Sequence, residues 1–440
     1  MTPTPIPSDL LHVAPGGALS GRMRVPGDKS ISHRAVMLGA LANGTTEVRD
    51  CLMGEDVRAT MGAFRALGVA IEARENGRLI LVHGRGLHGL RAPDRVLDLG
   101  NSGTSIRLLS GIIAGSGLGA TLTGDESLRR RPMRRVTEPL ALMGAAIRTA
   151  ANGTPPLEIE GGHPLHGIDY RLPVASAQVK SALLLAGLFA RGTTAVTEPA
   201  PTRDHTERML AGFGVAVARE GACARVAGGQ ALSAARITVP GDISSAAFFL
   251  VGASIAPGSD LLLEDVGVNP TRTGVLDILK LMGADITVQN ARDVGGEPVA
   301  DLRVKSAVLR GIDVPPALVP LAIDEFPVLF IAAACAEGVT TVREAEELRH
   351  KESDRIATMA SGLAALGVPV ETFPDGIRIT GGGYRGGRID SQGDHRIAMS
   401  FAMAALRAAG AIDIRGCANI ATSFPGFAAL ARGVGLGIAP

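Results

Sequence analysis

Apolar and polar positions come in blocks along the chain, and one block pattern returns six times. A short apolar run leads into a polar turn. The turn opens an apolar helix, and a Gly/Thr-rich turn then leads into a strand, as at Asn43-Gly44-Thr45-Thr46, Arg191-Gly192-Thr193-Thr194 and Glu337-Gly338-Val339-Thr340. Later in each period a second helix ends at glycine and a small apolar residue starts a strand. This occurs at Gly68-Val69, Gly144-Ala145, Gly214-Val215, Gly283-Ala284, Gly367-Val368 and, more weakly, Gly435-Leu436. Successive glycines lie 76, 70, 69, 84 and 68 residues apart. Glycine just past a helix takes the left-handed conformation that closes it. The period exceeds that of solenoid repeats and fits a β-α-β-α-β-β unit used six times.

The six polar openings are Gly27–Ala42, Asp98–Arg107, Val174–Ser181, Gly241–Ala253, Ala322–Pro327 and Ser391–Ala398. Val25-Pro26-Gly27-Asp28-Lys29-Ser30 returns as Val239-Pro240-Gly241-Asp242-Ile243-Ser244. The chain therefore divides into two sets of three. The expected fold is α/β, with two similar domains of three βαβαββ repeats each around a cleft. At 440 residues the chain is also too long for one compact core.

Composition narrows the class. Apolar residues make up 46% but aromatics only 3%, with no Trp and 57 glycines, which suits many small α/β units with tight turns. A net charge of +1 gives no whole-chain field for nucleic acid or a membrane surface. The apolar runs Ala246–Ala256 and Phe326–Ala336 are too short to span a bilayer, and Met1–Leu11 lacks the regions of a signal peptide. Cys51, Cys223, Cys335 and Cys417 have no metal spacing and read as free thiols of a cytoplasmic protein. Only five lysines (Lys29, Lys180, Lys280, Lys305, Lys351) stand against 39 arginines. A lysine in such a chain serves where a compact or titratable charge is needed, or persists by chance.

The openings carry the candidate chemistry. Asp28, Ser30 and Ser32 are natural N-caps, and Lys29 and Arg34 sit beside a helix start that favours anions. The alternative is a capped helix with two solvated cations. Asn101-Ser102-Gly103-Thr104-Ser105 offers backbone amides, with Gly103 allowing close approach. In Ser127–Arg135, Arg131 precedes Pro132, which favours an extended segment and an inward side chain; otherwise the run is a solvated face or a polyanion patch. Ser176, Gln178 and Lys180 open the third helix, and Thr202–Glu207 forms another polar turn. Asp324 either caps its helix or binds a hydroxyl. Lys351 and Arg355 share a face if their segment is helical, with Glu352 alongside. Asp394 is placed to cap, leaving Arg396 to clamp an oxyanion. No His/Asp/Glu spacing resembles a metal site.

Six motifs in order make the chain resemble the 5-enolpyruvylshikimate-3-phosphate synthase family, from about Gly21 to Ala429. They are Pro26–Arg34, Gly100–Thr104, Arg131-Pro132, Ser176–Gln178, Lys351–Arg355 and Asp394–Met399. The resemblance implies an inside-out α/β barrel in each domain, with 1–21 and 244–440 in one and 22–243 in the other. It implies transfer of the enolpyruvyl group of phosphoenolpyruvate to the 5-hydroxyl of shikimate 3-phosphate, through a tetrahedral intermediate, with release of phosphate. By resemblance Lys29, Ser30, Arg34, Ser176, Ala177, Gln178, Arg203, Asp324 and Lys351 hold shikimate 3-phosphate. Lys29, Asn101, Gly103, Arg131, Gln178, Arg355 and Arg396 hold phosphoenolpyruvate. Asp324 is the candidate base and Glu352 the candidate acid, with Lys29 as alternative proton carrier. A monomer is expected, acting on these small anions in the cytoplasm, with no metal, cofactor, nucleic acid or membrane partner.

The chain also departs from many relatives. Thr422 stands where they have lysine, Arg203 where they have tyrosine, Ala177 where they have serine and Glu347 where they have asparagine. These place it in a more divergent bacterial branch. Two rivals remain. Enolpyruvyl transfer to UDP-N-acetylglucosamine needs a loop cysteine that is not seen here, and a polyanion-binding protein would use Arg129–Arg135. Gly103 is glycine where herbicide-tolerant relatives carry a bulkier residue. Turnover should therefore be inhibited by glyphosate at low concentration; full activity at millimolar inhibitor would refute this.

Overall fold

The chain, described here by a computed structural model over residues 9–439, forms two compact units. The C-terminal unit comprises the chain up to Pro26, Pro240–Asp293 and everything from Pro298 onward. The N-terminal unit comprises Gly27–Val239 together with Val294–Glu297.

Each unit is built from three small sheets. In the N-terminal unit the second repeat is complete in sequence. Its strand Leu97–Asp98 runs parallel to Ala120–Thr123, which pairs antiparallel with Leu157–Ile159, itself antiparallel to Ile147–Arg148. The third repeat has the same order with Asp169–Arg171, Thr193–Thr197, Cys223–Ala227 and Val217–Glu220. The first repeat takes its opening strands from the far end of the unit: Leu232–Ser233 and Arg236–Thr238 lie parallel to Ala42–Arg49, with Ile237 opposite Val48. The C-terminal unit repeats the device. Ser20–Met23 lies parallel to Asp260–Gly267 and opens the fourth repeat, and Leu10–Val13 pairs antiparallel with Ile412–Arg415 in the sixth.

These borrowed strands set the division between units. The strand Ser20–Met23 is bonded into the fourth repeat, so residues 22–26 stay with the C-terminal unit. The division falls at Pro26/Gly27 and Val239/Pro240, a few residues from the 21/22 and 243/244 positions expected from sequence. The tip Val294–Glu297 belongs with the N-terminal unit, which the sequence reading does not anticipate.

The first helix of each repeat is Lys29–Leu41, Gly103–Ser116, Ala177–Gly187, Ile243–Ile255, Phe326–Cys335 and His395–Ala404. A helix that is apolar all round must be buried, and every residue of Ile243–Ile255 is buried. Each unit has its own core made chiefly of these helices. In the C-terminal one Phe248 and Phe249 of helix Ile243–Ile255 meet Phe424 and Phe427 edge-on or tilted, at ring-centroid distances of 5.3–6.5 Å. Because the helix bodies are dry, their polar residues collect at the N-terminal ends. The second helices close as expected, with Gly68, Gly144, Gly214, Gly283 and Gly367 all at positive φ. Among the described residues no helix is long and apolar enough to cross a membrane.

The core of the N-terminal unit depends on one close approach. A Cβ at Gly111 would lie 2.2 Å from the carbonyl oxygen of Ala182, so helices Gly103–Ser116 and Ala177–Gly187 touch backbone to backbone. Gly111→Val should push them apart and destabilise the unit by about 1–3 kcal/mol. An unchanged urea midpoint would refute the close packing.

Candidate active site

The N-terminal unit gathers its polar groups at three helix starts. Asp28 caps Lys29–Leu41, its carboxylate accepting the Ile31 amide at 2.9 Å. That cap leaves Lys29 half-buried, with Nζ 3.1 Å from the Asp56 carboxylate. Arg34, one turn further in, is buried. It donates from Nε to the Thr206 hydroxyl and from Nη2 to that of Ser181, both at 2.7 Å, and from Nη1 to the Ser30 carbonyl at 3.0 Å. Burial is the main reason its pKa is held down to about 10.

Ser102 caps Gly103–Ser116 by accepting the Ser105 amide. A Cβ on Gly103 would come 2.8 Å from Nη1 of Arg131 and 3.0 Å from Nη1 of Arg107, so glycine is what lets both guanidiniums lie against this helix start. Arg131 is buried in the bend between Glu126–Arg129 and Arg134–Leu142, and donates to Asn101 Oδ1 at 2.7 Å. Arg107 donates to Gln178 Oε1 at 2.6 Å, and Gln178 donates to the Thr104 hydroxyl at 3.1 Å. Ser176 caps Ala177–Gly187, and Ala177 and Arg203 are half-buried. In this unit Lys29, Asn101, Gly103, Arg131 and Gln178 thus stand among groups from all three repeats.

The C-terminal unit gathers a charge cluster around Asp324. Its carboxylate has Arg355 at 3.5 Å, Lys351 at 3.7 Å and Arg396 at 3.9 Å. Arg355 is buried and bonds Asp394 at 2.8 Å and Glu352 at 2.7 Å. Desolvation alone would lower the Arg355 pKa, but Asp394, Glu352 and Asp324 together raise it instead. For Asp394 burial pulls upward and the Arg355 charge wins, holding it below the usual carboxylate range. Asp394 also caps His395–Ala404 through the Arg396 amide at 2.9 Å.

Two local expectations differ from the structure. Asp324 is not a cap: helix Phe326–Cys335 starts after Glu325, without a side-chain cap bond, so the Asp324 carboxylate faces the three cations. Lys351 and Arg355 do not share a helix. Glu346–His350 is a short 3₁₀ turn, Lys351 is extended, and the helix begins at Arg355 with Asp354 as cap. The turn 351–354 brings the two cations together instead. Thr422 is buried and donates to the Asn419 carbonyl at 2.7 Å. Arg107 and Asp56 are partners that the sequence reading did not select, and Asp394, read there as a cap, also holds Arg355. Arg107 left a signal, a lone cation one turn into an apolar helix; Asp56 left only its place in a helix's first turn.

With this geometry in hand, comparison with known proteins decides the family. The family model described as EPSP synthase (3-phosphoshikimate 1-carboxyvinyltransferase) matches residues 13–430. The chain belongs to the EPSP synthase family. A 3-phosphoshikimate 1-carboxyvinyltransferase of Alkalilimnicola ehrlichii is 67% identical over 428 residues, spanning 97% of this chain and 96% of the relative. Another, of Methylococcus capsulatus, is 65% identical over 424 residues, spanning 96% and 97%. Among solved structures, an EPSP synthase from Acinetobacter baumannii superposes with TM-score 0.88 at 55% identity, covering 98% of this chain and 99% of that one. The enolpyruvyl transferase NikO from Streptomyces tendae shares the fold at TM-score 0.77 and 19% identity, covering 98% of each chain. As a member of the EPSP synthase family the chain is an enzyme. It transfers the enolpyruvyl group of phosphoenolpyruvate to the 5-hydroxyl of shikimate 3-phosphate, with release of phosphate, in aromatic amino-acid biosynthesis.

Beneath Gly103 runs a buried chain of hydrogen bonds: His33 Nδ1 to Thr60 at 2.8 Å, Thr60 to Ser105 at 2.6 Å, and Ser105 to Ser102 at 2.6 Å. Burial, with Lys29 and Arg34 nearby, holds the His33 pKa well below 6.5. The unfolded chain therefore takes up a proton near pH 6.5 that the folded chain refuses. Stability should fall as pH drops below that value, by up to about 1.4 kcal/mol per unit relative to His33→Gln. Urea titrations of both proteins at neutral and mildly acidic pH measure this; parallel pH dependences would refute it.

Proposed function

We propose that the two constellations serve one addition–elimination reaction, with roles assigned residue by residue. Lys29, Ser30, Arg34, Ser176, Ala177, Gln178, Arg203, Asp324 and Lys351 hold shikimate 3-phosphate. Lys29, Asn101, Gly103, Arg131, Gln178, Arg355 and Arg396 hold phosphoenolpyruvate. The observation that carries the reading is the ring of Lys351, Arg355 and Arg396 around Asp324. Arg355 is also shared with Asp394 and Glu352, and Lys351 with Glu347, so an anionic substrate binds by taking a share of these cations, while Asp324 stays placed to act as a base.

Asp324 accepts the proton of the attacking 5-hydroxyl, and Glu352 delivers a proton to the methylene carbon of phosphoenolpyruvate. Glu352 is bonded to Arg355, which favours its ionised form. An arriving phosphate or carboxylate that shares the Arg355 charge weakens this hold and raises the proton affinity of Glu352. Collapse of the tetrahedral adduct then returns a methyl proton to Glu352 as the C–O bond to phosphate breaks, and the proton held by Asp324 leaves with the phosphate expelled toward the cations. Lys29, half-buried beside Asp56, is the alternative carrier. Arg34 spends three donors on protein groups, so it supports the Ser30 loop as well as adding charge. The chain acts as a monomer in the cytoplasm.

Three of the four thiols, Cys51, Cys335 and Cys417, are unsuited to acid chemistry in a transfer to UDP-N-acetylglucosamine. Cys51 and Cys417 are buried with pKa pushed up to about 12, and Cys335 to about 11, in each case by desolvation first. Asp324→Asn and Glu352→Gln should each lower kcat by roughly 10²–10⁴-fold with unchanged circular dichroism. Phosphate release assayed with shikimate 3-phosphate tests this; near-normal kcat in both variants would remove the acid/base assignment.

A further inference from the structure

Lys180 is one of the few lysines, and the reaction as described gives it no task. It lies one turn into helix Ala177–Gly187 with its side chain 1% exposed. Its ammonium is 2.6 Å from Glu198 Oε2 and 2.7 Å from Glu207 Oε1; Glu207 is buried and Glu198 half-buried. Such an ion cluster is an expensive way to hold a helix, since an apolar side chain often does as well. What it adds is geometry.

The two glutamates stand at the two feet of one loop. Glu198 follows strand Thr193–Thr197, and Glu207 lies in the first turn of helix His205–Gly212. Between them Glu198–Asp204 has no regular structure and carries Arg203. Secondary ties act at both feet. The Thr202 hydroxyl donates to Glu198 Oε1. Asp204 is held by Arg208 at 2.9 Å and Arg219 at 2.8 Å. Thr206 shares its hydroxyl with Arg34 and Ser181, at 2.7 Å each. Arg203 is half-buried, and its charge is among the causes acting on Arg34, after burial and the neighbouring carboxylates. Arg203 thus carries its charge within electrostatic range of Arg34.

We propose that Lys180 is a positioning residue for shikimate 3-phosphate: its ammonium ties both feet of the Glu198–Asp204 loop and so aims Arg203 at the substrate. This rests on the reading that Arg203 contacts shikimate 3-phosphate. A lysine suits the task because a compact ammonium with three donors can serve two converging carboxylates, where a planar guanidinium would need more room. The ties belong to the loop of one substrate, so loosening them changes recognition of that substrate alone.

The test is steady-state kinetics of Thr202→Val, Glu198→Gln and Lys180→Met, each alone and combined with Arg203→Ala. Thr202→Val removes one hydroxyl and stays informative if Lys180→Met does not fold. The expected result is a rise of roughly tenfold in KM for shikimate 3-phosphate, the scale of one charge-assisted bond. KM for phosphoenolpyruvate should stay unchanged, and the rise should vanish when Arg203 is already alanine. Equal rises in both KM values, or a rise that persists in the Arg203→Ala background, would show a merely structural cluster and overturn the proposal. Unchanged KM for shikimate 3-phosphate in Arg203→Ala alone would instead remove the reading of Arg203 on which the proposal stands.

Discussion

A guanidinium keeps its proton inside a protein, so burying one obliges the fold to bring carboxylates to it. Arg355, 1% exposed, imposes that constraint on the C-terminal unit. Its partners come from three separate turns: Asp324 before the fifth core helix, Glu352 in the turn 351–354, and Asp394 before the sixth. Each turn must therefore be rigid. Ser391 donates to the Gly416 carbonyl at 2.8 Å, and Asn419 to that of Gly393 at 2.7 Å, which fixes the Asp394 turn from behind. Gly416 has positive φ, and a Cβ there would lie 2.7 Å from Ser391 Oγ, so the turn closes only over a glycine. The proposed acid and base stand where they do because one buried cation needs them there.

Repeats one and four show how the same backbone is given opposite chemistry. Asp28 and Asp242 cap their helices alike, accepting the Ile31 amide at 2.9 Å and the Ser244 amide at 2.8 Å. The first repeat then places a cation on this helix and an anion, Asp56, on its second helix. The fourth inverts the order. Ile243 follows the cap, and Arg272, just before helix Gly274–Leu281, supplies the cation. Arg272 is 3% exposed and engaged with Ser244 at 2.6 Å, Asp242 at 3.2 Å and Glu325 at 3.7 Å. Its charge is spent within the core. Lys29 keeps 17% exposure, enough to meet a ligand. Internal symmetry thus predicts where a helix starts and not whether that start is a site.

The same contrast explains what was legible in the sequence. Helix ends at Gly68, Gly144, Gly214, Gly283 and Gly367 were readable because one residue type satisfies a positive φ cheaply. The core helices were readable because they are apolar on every face. Ser20–Met23 and Arg236–Thr238 were not, since strands of three or four residues carry no period and their pairing partners lie far away. Lys29 and Asn101 were visible as polar residues at apolar helix starts, Gly103 as the glycine allowing close approach there, and Arg131 as the residue before Pro132 in a cationic run. Arg107 and Asp56 were less so, because their meaning comes from what lies opposite in space. Spacing alone left Asp324 as either a cap or a hydroxyl-binding group; the helix begins after Glu325, whose side chain turns inward to Ser244 and Arg272.

The lysines carry the argument one step further. Lys280 and Lys305 are exposed. The other three each meet carboxylates at a helix or turn of a candidate site: Lys29 with Asp56, Lys180 with Glu198 and Glu207, and Lys351 with Asp324 and Glu347. Arginine is the default cation of this chain and is used freely for buried ion pairs, as at Arg272 and Arg355. Its planar fork serves several carboxylates only where there is room for it, as Arg355 does with Asp394, Glu352 and Asp324. An ammonium has no plane, so it can sit between two carboxylates from different elements, or between a carboxylate and an incoming phosphate, and turn its donors from one to the other. Lys180 and Lys351 both have the two-carboxylate arrangement, one closed off from solvent and one 20% exposed. In the proposed roles Lys180 is a fixed tie and Lys351 a binding group, and burial rather than residue type separates the two.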